Sequence, residues 1–505
     1  MARRPGTAVQ SQLSDQCRRP RRTRRPGPQP VDLSANPEPG RGYSRMKGES
    51  PEMTSAVPDD VYDLVGVGIG PFNLALAALA EPTGLRTLFL DGRPRFAWHE
   101  GMLIDGTTLQ VPFLADLVTL ADPTSRWSFL NYLRTRDRLF PFVFAERWHV
   151  PRTEYDDYCR WVAESLPSCR FDARVTSCEW DGARRVFVVE HAGGRVLARN
   201  VVLGVGTEPV IPAPFADLVG ERVFHTAEYR MRRESLCGAT DVTVIGSGQS
   251  GGEVFLDLLR AQRDTGWRLR WLTRTPAFAP MEYSKLGLEH FTPDYIHYFR
   301  GLPDAVRERL IPQQWQLYKG MSAQTIADIY DELYDRRIGG GWADAMMCPG
   351  MEVTAAARTA DGYALSCKHI QLGETFEVVT DRVLLAAGYA PRRPDFLEPL
   401  AALVDWDAQG RYRIDGDYRV TTDPSVTGGL YAQNSDMHTH GVGAPDLTLG
   451  AWRAATILNS VAGRPVAPVP ATTAFTTFGP PRAGAHPSGG FGRLPSPSAR
   501  PDSAR

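Results

Sequence analysis

Short apolar runs that end in glycine, each followed by apolar residues at helical spacing, occur twice along the chain. Residues 63–67 (Asp-Leu-Val-Gly-Val) form the first run, and residues 73–81 carry the helical period behind it. A continuous apolar run of this length, bounded by turn residues, predicts a buried strand, a tight turn and a helix. Residues 86–91 (Arg-Thr-Leu-Phe-Leu-Asp) predict the next strand. Residues 241–245 (Asp-Val-Thr-Val-Ile) begin the same order again with β-branched side chains. Helices are predicted over 124–137, 153–165, 292–311, 322–337 and 447–461. Strands are predicted over 184–191, 195–203, 351–358, 362–370, 375–379 and 382–387. Strands alternating with helices make an α/β fold, and no solenoid-length repeat interrupts it. The most apolar stretch, 61–80, is broken by Asp63, Pro71 and Asn73, so no membrane span is expected.

The two ends depart from this pattern. Residues 1–57 are rich in Arg, Pro, Gly and Ser, which predicts a disordered extension. A transit peptide would share the Arg and Ser, but the prolines oppose the amphipathic helix it needs. Residues 467–505 are Pro-, Gly-, Ser- and Thr-rich and are expected to be a disordered tail. Of the 505 residues, 42% are apolar and 23% charged, enough for large buried cores. The 57 basic and 58 acidic residues nearly cancel, so nothing draws the chain to nucleic acid. Lysine occurs only at 47, 285, 319 and 368, so arginine-rich stretches reflect chain-wide usage rather than a binding patch. The 7 cysteines include no CxxC pair, which excludes a dithiol relay and makes a disulfide framework unexpected. A soluble cytoplasmic protein is expected.

Chemistry concentrates at the two turns. Gly66-Val-Gly68-Ile-Gly70-Pro71-Phe-Asn73 joins the first strand to the first helix. Gly68 permits the tight turn, and Gly70 lets the backbone approach a pyrophosphate at the positive end of the helix. Asn73 stands at the third glycine position. Asp91 ends the next strand, 23 residues past Gly68, where a carboxylate can accept hydrogen bonds from ribose hydroxyls. Together these point to a dinucleotide; the alternative is a glycine-rich turn that binds nothing. The second turn reads Gly246-Ser-Gly248-Gln249-Ser250-Gly251-Gly252. No acid ends the following strand, and Arg274 stands there instead. A guanidinium favours a 2′-phosphate, hence NADP(H) over NAD(H), unless Arg274 is an ordinary solvated arginine. Two dinucleotide folds imply one cofactor reducing another. Without a CxxC pair, electrons must leave a flavin by another route, and O2 is the simplest acceptor. A flavoprotein monooxygenase follows, with an electron-transfer reductase as the competing outcome.

Gly66-Val-Gly-Ile-Gly-Pro-Phe-Asn-Leu-Ala-Leu-Ala and Phe96-Ala-Trp-His-Glu-Gly-Met102 resemble the FAD site of the N-hydroxylating monooxygenases, the lysine N6- and ornithine N5-monooxygenases of siderophore biosynthesis. Leu109-Gln-Val-Pro-Phe-Leu-Ala-Asp-Leu-Val-Thr119, Tyr155-Asp-Asp-Tyr158, Val244-Ile-Gly-Ser-Gly-Gln-Ser-Gly251 and His440-Gly441 continue the resemblance, which covers about 60–465. Leu385-Ala-Ala-Gly-Tyr389 is similar to the strand-end ATGY signature of flavin monooxygenases, with Ala387 in place of Thr. Gly220 and His225 depart in spacing from the Baeyer–Villiger fingerprint, which argues against that reaction.

The resemblance implies two Rossmann-like dinucleotide-binding domains, for FAD and NADPH, the second inserted in the first, plus a small mainly helical substrate region. The FAD-binding domain is expected over 58–235 and 381–466, and the NADPH-binding domain with the helical segment over 236–380. FAD contacts are expected from Gly68, Gly70, Pro71, Asn73, Asp91, Trp98, His99 and Gln110, although Trp98 and His99 could equally be core aromatics. NADPH contacts are expected from Gly246, Gly248, Gln249, Ser250, Gly251 and Arg274. The resemblance further implies that reduced flavin adds oxygen and a neutral primary amine attacks it, with no nucleophile from the chain itself and no residue singled out to deprotonate the amine. A free alkylamine has a pKa of about 10.4, so the site must favour its neutral form. His438 and His440 are expected to pack near FAD rather than bind a metal, and no metal is expected. A homo-oligomer, by resemblance a tetramer, is expected.

Substrate choice is read at two positions. In the amino-acid-hydroxylating members, a Lys five residues after the Gln at position 110 helps bind the substrate carboxylate, and Ala115 stands there. An Asn contact of those enzymes aligns with Leu288. An unpaired carboxylate beside apolar groups would cost several kcal/mol. A diamine such as cadaverine or putrescine, for a hydroxamate siderophore, is therefore expected. The alternative is L-lysine, with Lys285 or an Arg replacing the lost contacts; otherwise Lys285 meets NADPH phosphate or lies on the surface.

Overall fold

A computed structural model of the chain describes residues 61–470 and 472–480. The extension expected over 1–57 lies outside them. Leu64–Val67 is buried at every position because it is the middle strand of a parallel sheet. Its order is Gly429–Ala432, Asn200–Leu203, Leu64–Val67, Thr87–Leu90, Cys169–Arg170. The following helix, Pro71–Ala80, is apolar all round and packs against the helix Gly450–Ala462 as well as the sheet. A second parallel sheet has the order Val223–His225, Arg382–Leu385, Asp241–Ile245, Arg268–Leu272, Ala345–Cys348, and Gln249–Thr265 is the helix behind its Gly-rich turn.

The chain leaves the first sheet after Asn200–Leu203, builds the second, and returns at Gly429–Ala432. Boundaries expected at 235/236 and 380/381 are therefore corrected. Val223–His225 and Arg382–Leu385 pair with each other inside the second sheet, which spans 223–385. The pattern marks 382–387 as a strand, leaves Val223–His225 unpredicted, and carries no information on the neighbours of either. The strand expected over 195–203 divides for the same reason. Gly194–Ala198 joins an antiparallel sheet with Val186–His191 and Val175–Asp181, while Asn200–Leu203 enters the first parallel sheet. The strands expected over 351–379 form the three-stranded antiparallel sheet Met351–Arg358, Tyr363–His369, Thr375–Thr380.

The helix expected over 124–137 shortens to Phe129–Thr135, because the Ser128 hydroxyl accepts from the Asn131 amide and caps it there. The one expected over 292–311 is cut into Pro293–Arg300 and Asp304–Gln313 by Gly301 and Pro303. The helix Leu139–Ala145 is not predicted by the pattern.

The tail expected to be disordered over 467–505 is corrected only where it is described, up to residue 480; residues 471 and 481–505 lie outside the described ones. Residues 472–480 lie against the helix Pro293–Arg300. The Asp294 carboxylate accepts from the amides of Thr473 and Ala474, and Glu289 accepts from Phe475 and Thr476. Phe478 meets the rings of His290, Tyr295 and Tyr298. Composition favoured disorder, but two carboxylates and an aromatic patch outweigh the ordering entropy. Ending the chain after residue 470 is expected to cost about 2 kcal/mol, read as a lower urea midpoint. An unchanged midpoint would remove the strap from the stability of the fold.

His225 joins the end of its strand to the turn at Gly388. Nδ1 accepts from the Ala227 amide at 3.0 Å, so Nε2 carries the proton and donates to the Gly388 carbonyl at 3.1 Å. Burial pushes its pKa down to about 4, against the Gly388 bond that opposes the shift. An unfolded His titrates near 6.5, so between pH 6.5 and 4 the unfolded chain binds the extra proton. The stability held above pH 6.5 is lost as pH falls through that window. Unfolding at pH 4.5 rather than 7 is expected to show a loss of about 2 to 3 kcal/mol from this residue, and His225→Asn is expected to flatten the slope.

Candidate functional site

The carboxyl ends of both parallel sheets open into one cleft of about 3150 Å³. Ligands of open α/β sheets bind at such ends. Gly68 has φ 89°, and a Cβ there would stand 2.4 Å from the Gly204 carbonyl oxygen, so only glycine makes the turn. A Cβ at Gly70 would meet nothing within 4 Å, which leaves open space before the helix that starts at Pro71. Gly246 repeats the device with φ 109° and a Cβ position 2.2 Å from the Ala386 oxygen. Gly68, Gly70, Pro71, Asn73, Asp91, Trp98, His99, Gln110, Gly246, Gly248, Gln249, Ser250, Arg274 and Leu288 all line the cleft.

Several have roles the sequence does not disclose. Asn73 is buried and donates from Nδ2 to the Val67 and Gly68 carbonyls at 3.2 and 2.8 Å. Its Oδ1 accepts from Gln433 at 2.6 Å, so it ties the turn to the last strand of the sheet. Asp91 accepts from the Ile69 amide at 2.8 Å and is forked by Arg93, whose Nε lies 3.0 Å from Oδ1 and whose second guanidine nitrogen lies 2.8 Å from Oδ2. Burial opposes ionisation of Asp91, but Arg93 outweighs it and holds the carboxyl below its ordinary range. The acid thus stands where expected, with Arg93 as a second polar group on the same wall. Gln110 points a buried Nε2 without a partner among the described residues. Open space at a helix start and an orphaned donor both fit a bound dinucleotide.

His99 faces the cleft in a left-handed backbone conformation, its ring edge-on to Trp98 and Tyr389. Desolvation within the cleft walls, then the charges of Arg152 and Arg93, push its pKa down to about 4, so the imidazole is neutral near pH 7. In the second half, Ser247, Thr273 and Thr275 form a triangle of hydroxyls 2.7 to 2.9 Å apart beside Arg274. Arg274 is 77% exposed and 3.9 Å from Glu352, leaving most of its guanidinium free.

Three expected contacts are corrected. Gly251 is not on the cleft wall: a Cβ there would stand 2.2 Å from the Gly246 oxygen, so it sets helix-to-turn packing. Ala115 is buried beneath the wall, its amide bonded to the Pro112 carbonyl. Lys285 is exposed and absent from the lining, while Leu288, three residues on, is part of it. His438 donates from Nε2 to the Tyr412 carbonyl at 2.8 Å, and His440 stacks on Tyr418 at 4.2 Å.

Sequence reasoning missed Tyr283 and Asp446. Both line the cleft, on segments in contact: a Cβ at Gly443 would lie 3.7 Å from the Phe291 Cα. The Tyr283 hydroxyl is buried without a partner. Asp446 accepts from the Thr448 amide at 2.7 Å and makes no ion pair among the described residues. Burial pushes its carboxyl up, with Thr448 and the more distant Arg453 opposing. Asp446 does end the quoted stretch from His438, but nothing in that stretch distinguishes a cleft-facing acid from a helix cap. Among the described residues no helix is long and apolar enough to cross a membrane.

A family model described as L-lysine 6-monooxygenase/L-ornithine 5-monooxygenase matches residues 60–391. The chain is 41% identical over 429 residues to a putrescine N-hydroxylase of Shewanella oneidensis, covering 83% of this chain and 84% of that one. It is 42% identical over 441 residues to a rhizobactin siderophore biosynthesis protein of Rhizobium meliloti, covering 85% and 97%. Among solved structures, the FAD-bound cadaverine monooxygenase of the desferrioxamine pathway of Erwinia amylovora superposes with a TM-score of 0.80 at 37% identity, covering 84% and 100%. With two glycine-lined dinucleotide cradles facing one cleft, and matches of this extent, the chain belongs to the L-lysine 6-monooxygenase/L-ornithine 5-monooxygenase family of N-hydroxylating flavoenzymes that use FAD and NADPH.

Proposed function

We propose that this chain hydroxylates one terminal amine of a short diamine, cadaverine or putrescine, with NADPH and O2, in hydroxamate siderophore biosynthesis. The observation that carries the reading is Asp446, a cleft-lining carboxylate that makes no ion pair among the described residues. A diamine brings a second ammonium, which would offset the cost of ionising Asp446 in a desolvated wall. An amino acid would bring a carboxylate against it. Lysine requires a replacement cation near Leu288, and Lys285 is exposed and not among the cleft-lining residues. The putrescine and cadaverine enzymes among the relatives support the same choice.

FAD would lie along Gly68, Gly70, Pro71, Asp91, Arg93 and Gln110, with Trp98 and His99 beside its ring. NADPH would lie along Gly246, Gly248, Gln249 and Ser250. Its 2′-phosphate would meet Arg274 and the hydroxyls of Ser247, Thr273 and Thr275. FAD, reduced by NADPH, supplies the activation of O2. The chain's part is placement: it orients the amine, excludes water, and favours the neutral nitrogen through a poorly solvated wall. Leu288 and Phe291 supply apolar contact along the methylene chain. A cytoplasmic location is supported by free thiols at every described cysteine. A homo-oligomer is supported by the outward Phe140 and Phe144.

Purified protein with FAD and NADPH is expected to form hydroxylamine from cadaverine and putrescine with kcat/KM at least about tenfold above lysine and ornithine. Product from lysine alone would overturn the diamine reading. Asp446→Asn is expected to raise KM for the diamine about 10- to 100-fold, with flavin reduction by NADPH little changed. An unaltered KM would take the distal ammonium away from Asp446.

A further inference from the structure

One buried ion pair joins the two halves of the cleft. Arg152 begins the helix Arg152–Ser165, whose buried face packs on the first half of the fold. Glu253 lies in the second turn of Gln249–Thr265, directly behind the second Gly-rich turn. The Arg152 guanidinium meets Glu253 Oε1 at 2.8 Å, with side chains only 13% and 4% exposed. The same Oε1 accepts from Gln249 Nε2 at 2.8 Å. Gln249 in turn donates to Thr325 and accepts from the Ser322 amide at 2.7 Å, at the start of the helix Ala323–Asp335. A rigid polar chain therefore runs from the first half into the turn that opens the second.

The junction is also packed. Met102 and Ile104, which follow the first-half motif, are buried in the core of the second half. A Cβ at Gly101 would stand 1.8 Å from the Ala227 carbonyl oxygen, so the two backbones cross in contact. Apolar plugs hold the halves together but do not set direction, because dispersion contacts tolerate sliding and rotation. An ion pair in a desolvated site does set it, since displacement strands two charges.

We propose that Arg152 and Glu253 are positioning residues that fix the orientation of the NADPH cradle to the FAD cradle for the two-electron reduction of FAD, which leaves NADP+. This rests on the cofactor placement given above. It also predicts that stability and reaction geometry can be separated. Arg152→Met and Glu253→Gln each leave one buried charge unpaired and should destabilise the protein. Arg152→Met/Glu253→Leu removes both charges and should restore the melting temperature toward that of the parent. It should not restore orientation: the limiting rate of flavin reduction at saturating NADPH is expected to stay about 10- to 100-fold low, while reduction by dithionite is unaffected. Hydrogen exchange in the full-length protein should be faster at the Met102 and Ala227 amides of the double variant. A double variant that reduces flavin at the parent rate, or exchanges like the parent at both amides, overturns the proposal. Failure of NADPH to reduce the parent's flavin would instead overturn the cofactor placement, and exchange at the junction would still decide the role of the pair.

Discussion

Two backbone collisions that glycine avoids set the rest of the structure. At Gly68 and at Gly246 the chain passes so close to a neighbouring strand's carbonyl that no Cβ fits. Each passage turns a buried strand into a helix whose first amides are free. Because both turns sit at the carboxyl ends of parallel sheets, and both sheets face one cleft, two cofactors can be held with their reactive ends together. Asn73 and Gly251 serve these turns from behind, one by hydrogen bonds to the carbonyls of the turn, the other by letting a helix approach.

The cleft walls differ in charge along their length. Burial first, then the positive charges of Arg152 and Arg93, keep the His99 ring neutral. Further along, Asp446, held by the Thr448 amide but in no ion pair among the described residues, and Tyr283, whose hydroxyl has no partner among them, stand beside apolar Leu288 and Phe291. A pocket of this kind rewards a chain of methylenes ending in a cation. The relatives that act on putrescine and cadaverine fit that chemistry, whereas the same fold elsewhere in the family accommodates amino acids. Fold therefore narrows the reaction, and a few wall residues narrow the substrate.

The candidate site was legible where chemistry lies in consecutive residues. Gly68, Gly70, Gly246, Gly248, Asp91 and Arg274 line the cleft, and so does Gln110, which the resemblance rather than spacing singled out. It was illegible where function depends on which way a side chain points. Ala115 and Lys285 were read as pocket residues by position, yet one is buried beneath the wall and the other faces solvent. Arg93 sits only two residues past Asp91, but its fork around that carboxylate follows from a tight bend, not from a motif. The tail beyond residue 471 shows the same limit, since its partners Glu289 and Asp294 lie some 180 residues away in sequence.

Local pattern by itself determined the α/β class and the two strand–turn–helix units. Those properties depend on period, glycine placement and order, all of which are short-range. Only the tertiary structure decided which sheet receives Val223–His225 and Arg382–Leu385, which acids face the cleft, and that Arg152 meets Glu253 about 100 residues away. Strand partners and buried ion pairs are chosen by which surfaces remain to be covered once distant segments have packed, and no window along the chain contains that information.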